Sequence, residues 1–194
     1  MLTLMDRLAL ALLFLAIVVD IVRSPRGITT ATGAMSAPPP VPTSSRSDDD
    51  LVGKPAPDFI APAHDGTSVH LMALKGKPVV LYFYPKDETP GCTQEASSLR
   101  DSWQAIAATG AVVVGVSADS LESHRGFASH HRLPFLLVSD PDGSIGRVFG
   151  VPFASVHRRQ TIIIGSDGVV RKVYRSVDVA THAEQVLADL GRLT

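Results

Sequence analysis

The pattern of hydrophobic and polar positions divides the chain into three stretches. Residues 8–22 (LALALLFLAIVVDIV) are apolar except for Asp20. Residues 24–50 are rich in Pro, Ser, Thr and Ala, end in three aspartates, and contain neither aromatic residues nor hydrophobic periodicity. From Leu51 onward, apolar runs alternate with amphipathic stretches. We therefore predict a hydrophobic signal or anchor segment at 1–23, a disordered linker at 24–50 and a folded domain at 51–194.

The folded stretch contains the patterns of buried strands and of amphipathic helices. Unbroken apolar runs such as VVLYFY at 79–84 are typical of strands that are buried on both faces. The predicted strands are 69–71, 79–84, 112–117, 135–139, 161–164 and 169–175, and the predicted helices are 92–109, 121–131, 144–149 and 179–190. The turn GSDG joins the last two strands as a hairpin. Strands that alternate with helices and close with a hairpin indicate an α/β fold with a mixed central sheet flanked by helices, in the order of a thioredoxin-like fold.

The N-terminal apolar run is short for a membrane-spanning helix. Residues 8–22 would extend about 22 Å as a helix, whereas the hydrocarbon core of a bilayer is about 30 Å thick. We expect a signal-peptide hydrophobic region or a short anchor, and therefore a membrane-anchored or exported protein. Arginines at positions 7, 23 and 26 stand on both sides of the run, so charge does not set its orientation. If translation instead begins at Met35, we expect a cytoplasmic protein.

Composition excludes several classes of function. A net charge of -1 provides no basic surface for nucleic acid. Cys92 is the only cysteine, so the chain can form neither an internal disulfide nor a cysteine-based zinc site. We expect all seven histidines to be solvated surface residues, because none has metal-ligand spacing. The adjacent His130 and His131 would point in different directions on a helix. We therefore expect no metal and no cofactor.

Cys92 is predicted at the start of a helix, shortly after a buried strand. The first turn of a helix carries a partial positive charge and N–H groups without helical partners, and both favour a thiolate over a thiol. Gly91 allows close approach of the backbone, and Pro90 fixes the entry into the helix. Thr89 could hydrogen-bond the thiolate or an oxygen docked on it, and Pro85 ends the strand beside the sulfur. These features predict an activated nucleophile, and the competing interpretation is an inert cysteine packed in the core.

Several stretches around and beyond Cys92 resemble one enzyme family. The segment 85–92 matches the pattern P-x-x-x-[TS]-x-x-C of the peroxiredoxins. The longer stretch LYFYPKDETPGCTQEASSLRD is similar to the bacterioferritin comigratory, or Q-type, branch of that family. Three further stretches are similar as well: GKPAPDF at 53–59, GVSADSLESHRGFASHHRLPFLLVSDPDG at 115–143 and RQTIIIGSDGVV at 159–170. The resemblance covers about residues 51 to 190.

The resemblance implies a thiol-dependent peroxidase. In this family a cysteine thiolate attacks hydrogen peroxide or an organic hydroperoxide and becomes a sulfenic acid. The implied catalytic residues are Cys92, Thr89, Pro85 and Arg159, the last because it begins the R-x-T pattern before a strand. Its neighbour Arg158 is expected to be a solvated surface charge.

Two further residues are implied at the substrate. The backbone of Gly91 is expected to stabilise charge that develops on the peroxide, and Glu95 is expected to orient Arg159. Glu95 could instead provide only a favourable charge in the first helical turn. Phe83, Tyr84 and Phe153 are candidate apolar walls, with ordinary core packing as the alternative. Such a neutral site suits both hydrogen peroxide and small organic hydroperoxides.

One departure from the family pattern bears on the reaction. Many Q-type members carry a second, resolving cysteine five residues after the first, and here that position is Ser97. The resolving thiol must then come from another molecule, such as thioredoxin, glutaredoxin or glutathione. The resemblance also suggests a monomer or weak dimer. The alternative function is a catalytically silent thioredoxin-fold binding or chaperone protein, whereas Glu95 at the second position of C-x-x-C excludes self-contained dithiol exchange.

Overall fold

The computed structural model describes residues 51–193, so the predicted segment at 1–23 and the predicted linker at 24–50 lie outside the described residues. The strands in this range are β1 (Ile60–Pro62), β2 (Ser68–His70), β3 (Val79–Phe83), β4 (Val112–Ser117), β5 (Leu136–Ser139), β6 (Gln160–Ile164) and β7 (Val170–Tyr174). The α-helices are α1 (Pro90–Asp101), α2 (Trp103–Ala108), α3 (Leu121–His131), α4 (Ser144–Val148) and α5 (His182–Leu190). None of these helices is both long enough and apolar enough to cross a membrane.

Five of the strands form one mixed sheet in the order β5-β4-β3-β6-β7. β4 runs parallel to both β3 and β5, while β6 runs antiparallel to both β3 and β7. Helices connect the parallel strands, and a tight hairpin connects β6 with β7. β1 and β2 pair separately as a two-stranded antiparallel sheet. The mixed central sheet with flanking helices confirms the predicted α/β, thioredoxin-like fold.

The sheet separates two hydrophobic cores, because successive side chains of a strand point to opposite faces. Val79, Leu81 and Phe83 of β3 belong to a core that includes residues of β1, β2 and α4. Val80 and Tyr82 belong to the other core, with residues of the remaining helices. All of β3 is buried, as predicted for a strand covered on both faces. Cys92 lies in the second core.

The observed helices and strands differ from the predicted ones at several boundaries. β4 and α3 occupy the predicted residues 112–117 and 121–131. The single helix predicted at 92–109 is wrong, because Ser102 has φ -87° and ψ 0° and separates α1 from α2. The final helix begins at His182, since Asp178 accepts hydrogen bonds from the backbone N–H groups of residues 180 and 181 and so forms a turn ahead of it. β1 was not predicted, because three residues are too short to show alternation.

The register of β3 against β6 brings two distant segments together. Phe83 pairs with Gln160, and Tyr82 pairs with Thr161. Because the two strands are antiparallel, the end of β3 lies beside the start of β6. The loop that leads from β3 to α1 therefore lies close to Arg159, the residue before β6. The sheet thus positions Arg159 against a cysteine 67 positions away.

Candidate active site

Cys92 lies in the first turn of α1 and is almost completely buried. Thr89 precedes the helix in an extended conformation, with φ -80° and ψ 147°, and Pro90 is the first helical residue. A backbone hydrogen bond of 2.8 Å runs from Thr93 N to Thr89 O at the start of the helix. Helical geometry provides no acceptor four residues back for the N–H groups of Gly91 and Cys92. Cys92 therefore lies at the positive end of the helix. Its side chain is only 1% exposed.

The guanidinium of Arg159 joins the sulfur to a buried carboxylate. Its Nη2 donates to Cys92 Sγ at 3.1 Å, and its Nη1 donates to Glu95 Oε2. The Arg159 side chain is 19% exposed, and Glu95 is fully buried. A Cβ at position 91 would lie 3.4 Å from Arg159 Nη2, so the guanidinium lies against the first turn of α1. The guanidinium thus places a fixed positive charge beside the sulfur, and the forked geometry of arginine allows both contacts at once.

Burial and nearby charges act in opposite directions on the pKa values of Glu95 and Arg159. It raises the pKa of Glu95 to about 7, although Arg159 acts in the opposite direction. Glu95 Oε1 has no hydrogen-bond donor among the described residues, which adds to the cost of ionising this carboxyl. Burial by itself would lower the pKa of Arg159, but Glu95 and Cys92 outweigh it and raise that pKa above its usual value. The guanidinium therefore stays charged while Glu95 gains and loses a proton near neutral pH.

The Thr89 hydroxyl, three residues before the cysteine in the sequence, already donates its hydrogen to the backbone. Thr89 Oγ1 donates to the carbonyl oxygen of Lys86 at 3.0 Å. The oxygen can then accept a hydrogen bond from the O–H group of a docked hydroperoxide, which is one of the two roles expected for it. Pro85 follows the end of β3 and is half-buried. Of the candidate apolar walls, Tyr84 shares the core of Cys92, whereas Phe83 faces the opposite core.

A buried polar network behind the loop was missed by the sequence analysis. Asp87 Oδ1 accepts from the Tyr84 hydroxyl at 2.8 Å, and its Oδ2 accepts from Ser123 Oγ at 2.7 Å. His124 Nδ1 lies 2.9 Å from the same Oδ2, and His124 Nε2 lies 3.2 Å from the Val138 carbonyl oxygen. Both ring nitrogens of His124 therefore lie within hydrogen-bonding distance of buried oxygens. This network connects the loop before Cys92 to α3, and no local sequence pattern predicts it.

The histidines correct the expectation that all seven are solvated. His124, His157 and His182 are buried. His182 Nε2 lies 2.8 Å from Thr161 Oγ1, and burial together with the charge of Arg159 lowers the pKa of His182 to about 4. His130 and His131 were expected to point apart, but their ring centroids are 4.4 Å apart. Both rings contact Glu88, a grouping of three side chains that the spacing of the histidines in the sequence does not indicate.

Comparisons with known proteins identify the family. The sequence model of the AhpC/TSA family matches residues 52–173. A putative peroxiredoxin bcp of Coxiella burnetii is 41% identical over 150 residues, which cover 73% of this chain and 97% of the relative. A chloroplastic peroxiredoxin Q of Triticum aestivum is 45% identical over 127 residues, 64% of this chain. The chain spans only 58% of the length of that plant relative.

Solved structures agree with the sequence matches. Peroxidoxin BcpB of Mycobacterium tuberculosis superimposes with a TM-score of 0.69 at 34% identity, covering 74% of this chain and 98% of that one. A bacterioferritin comigratory protein of Xanthomonas campestris, described with alkyl peroxide reduction activity, gives a TM-score of 0.66 at 34% identity and covers 69% and 90%. The chain therefore belongs to the AhpC/TSA family, within its bacterioferritin comigratory, or Q-type, peroxiredoxins.

Proposed function

We propose that this protein is a thiol-dependent peroxidase that reduces hydrogen peroxide and organic hydroperoxides through Cys92. The observation that carries the proposal is the 3.1 Å contact between Arg159 Nη2 and Cys92 Sγ in the first turn of α1. The Q-type relatives support the same chemistry, and the alkyl peroxide activity described for the Xanthomonas protein supports organic substrates. No other cysteine in the chain could act as the nucleophile.

The peroxide step uses the groups that surround the sulfur. The Cys92 thiolate attacks one oxygen of the hydroperoxide, so an S–O bond forms as the O–O bond breaks. The second oxygen leaves with the electron pair of the broken bond and takes up a proton, giving water or an alcohol. We assign Thr89 Oγ1 as the acceptor of the substrate O–H, and Arg159 with the Gly91 N–H as donors to the developing charge. The sulfur is oxidised to a sulfenic acid.

The second half of the reaction needs another molecule. Ser97 replaces the resolving cysteine of many Q-type members, and the chain contains no second sulfhydryl. We propose that a thiol of thioredoxin, glutaredoxin or glutathione attacks the Cys92 sulfenic acid, releasing water and forming a mixed disulfide that a second thiol reduces. Because Cys92 is 1% exposed, we propose that the residues around the sulfur move apart before such a thiol reaches it.

Mass spectrometry of the full-length reduced protein tests the peroxide step directly. One equivalent of hydrogen peroxide is added in the presence of a reagent that traps sulfenic acids. We expect prompt, near-stoichiometric trapping at Cys92, and we expect Cys92→Ser to abolish peroxide consumption. An unreactive Cys92 in a folded protein, or persistent consumption by the serine variant, would instead favour the silent binding or chaperone protein.

A further inference from the structure

A cluster of two histidines and one carboxylate lies beside the loop of Cys92. Glu88 Oε1 lies 3.2 Å from His130 Nδ1, and Glu88 Oε2 lies 2.9 Å from His131 Nε2. The candidate ligand atoms of the three residues all lie within 4.8 Å of one another. The peroxide reaction proposed above uses none of these side chains.

We propose that Glu88, His130 and His131 form a binding site for a divalent transition-metal ion of the zinc class. Zinc bonds to imidazole nitrogen and carboxylate oxygen are about 2.0–2.2 Å long, so tetrahedral or octahedral angles place neighbouring ligand atoms about 2.9–3.5 Å apart. The observed separations of 2.9 and 3.2 Å match this range. Two imidazoles and a carboxylate also select zinc, nickel and copper ions over magnesium and calcium.

The end of α3 supplies both imidazoles in compatible orientations. His130 and His131 are the last two residues of α3, and Arg132 ends the helix in the left-handed conformation, with φ 52° and ψ 47°. The His131 ring packs edge-on against Phe127 at 4.9 Å, which fixes its direction. The two rings offer different nitrogens, Nδ1 of His130 and Nε2 of His131, and this difference lets adjacent residues face one point.

The surroundings of the cluster suit a cation. The C-terminal end of a helix carries a partial negative charge, and α3 ends here. The guanidinium of Arg100, which donates to the His131 carbonyl oxygen at 2.8 Å, is itself paired with Asp101. The His130 side chain is 72% exposed and that of His131 is 16% exposed, so water can complete the coordination.

Glu88 places the proposed metal site next to the loop that carries the nucleophile. Glu88 adopts a left-handed backbone conformation with φ 57°, and its carboxylate contacts both histidines at the end of α3. It stands four residues before Cys92 in the sequence. A bound ion would therefore link the loop that precedes Cys92 to the C-terminal end of α3. The chain has no disulfide that could make this link.

Isothermal titration with Zn²⁺ tests the site without relying on peroxidase activity. The full-length chain is used without a polyhistidine tag and with Cys92→Ser, so that no thiolate competes for the ion. We expect one Zn²⁺ per chain, and we expect His130→Ala, His131→Ala and Glu88→Gln each to weaken binding about tenfold or more. The matched control is His70→Ala, because His70 forms a similar pair with Asp58 at 2.9 Å, and within residues 51–193 no second histidine joins that pair.

Cobalt provides a second readout on the same proteins. Co²⁺ bound to nitrogen and oxygen ligands gives visible absorption bands, and these should be lost in His131→Ala and kept in His70→Ala. Circular dichroism checks that each variant is folded. The proposal is overturned if the chain binds no Zn²⁺, if binding persists undiminished in the His130, His131 and Glu88 variants, or if only His70→Ala removes it.

Discussion

At the scale of single residues, the charged and forked guanidinium of Arg159 bridges Cys92 and Glu95. The two terminal nitrogens of the guanidinium contact different partners, the sulfur and the carboxylate. A lysine keeps the charge but has only one nitrogen, so it cannot hold both contacts in the same geometry. The adjacent Arg158 is exposed and is the natural control.

We predict that Arg159→Lys lowers the second-order rate constant of the peroxide reaction. Loss of one well-placed donor to a developing oxyanion typically costs about 10²–10³ in rate, and we expect a loss of about 10² here because the charge is kept. Stopped-flow measurement of Cys92 oxidation checks this value. Arg158→Lys should leave the rate nearly unchanged, and an equal loss in both variants would contradict the assignment of Arg159.

A second residue-scale prediction concerns Glu95 and pH. Its pKa is raised from 4.5 to about 7, so between these values the folded protein binds a proton that the unfolded chain has released. The resulting stabilisation is fully present below about pH 4.5 and is lost as the pH rises through about 7. The difference amounts to on the order of 3 kcal/mol.

Urea denaturation at pH 5 and pH 8 measures this effect. The free energy of unfolding of the wild-type protein should fall between these pH values relative to that of Glu95→Gln, whose side chain cannot ionise. Parallel pH dependence in the two proteins would show that Glu95 does not titrate in this range. The raised pKa depends on burial, so it could not be predicted from the sequence.

At the scale of secondary structure, a glycine in β4 allows an aromatic ring to lie across the sheet. Gly115 pairs with Tyr82 of β3, and a Cβ at position 115 would lie 2.7 Å from the Tyr82 ring and 2.7 Å from Leu137. Tyr82 in turn stacks on Tyr84 at 5.3 Å between ring centroids. The missing side chain therefore shapes the core in which Cys92 lies.

We predict that Gly115→Ala destabilises the protein by about 1–3 kcal/mol, the usual cost of overpacking a core. Gly126 is the matched control, because it lies in α3, is exposed, and would place a Cβ in open space. Gly126→Ala should stabilise the protein by about 0.5–1 kcal/mol, since alanine is the better helix former. Thermal or urea unfolding measures the change in stability of each variant and distinguishes the two predicted signs. If Gly115→Ala is as stable as the wild type, the Tyr82 ring can move at no cost in free energy.

Prediction from the sequence succeeded where one periodic pattern decided the structure. β4 and α3 match residue for residue, and the mixed sheet followed from the order of strands and the closing hairpin. The break at Ser102 was missed because the residues on both sides of it are compatible with a continuous helix. Cys92 and Arg159 could be assigned by family resemblance, but the cluster at Glu88 depends on side-chain directions at a helix end.

At the scale of the whole molecule, we propose that the N-terminal residues determine where the folded domain acts. We propose that residues 1–23 are a signal or anchor segment and that 24–50 are a linker. The expected result is that the full-length chain fractionates with the cell envelope and that a chain starting at Met35 is cytoplasmic. Cell fractionation with antibody detection checks this, and identical fractionation of the two chains would contradict the targeting role.

Assembly is a separate expectation at this scale. A monomer or weak dimer remains our prediction, and light scattering coupled to size-exclusion chromatography over a range of protein concentrations measures it. Reduced and peroxide-treated protein should be compared, because a disulfide between Cys92 of two chains would first require the sulfur to leave its buried position.

Because the only thiol of the chain is buried, its rate of chemical labelling reports local unfolding of the native protein. A thiol-specific reagent can modify only one atom, and because that atom is 1% exposed, we expect a reagent larger than a peroxide to reach it only while the surrounding structure is open. When closing is faster than modification, the ratio of the labelling rate in the native state to that in the unfolded state equals the fraction of open molecules. The free energy of opening at the reactive centre can thus be read from ordinary labelling kinetics, without any engineered probe.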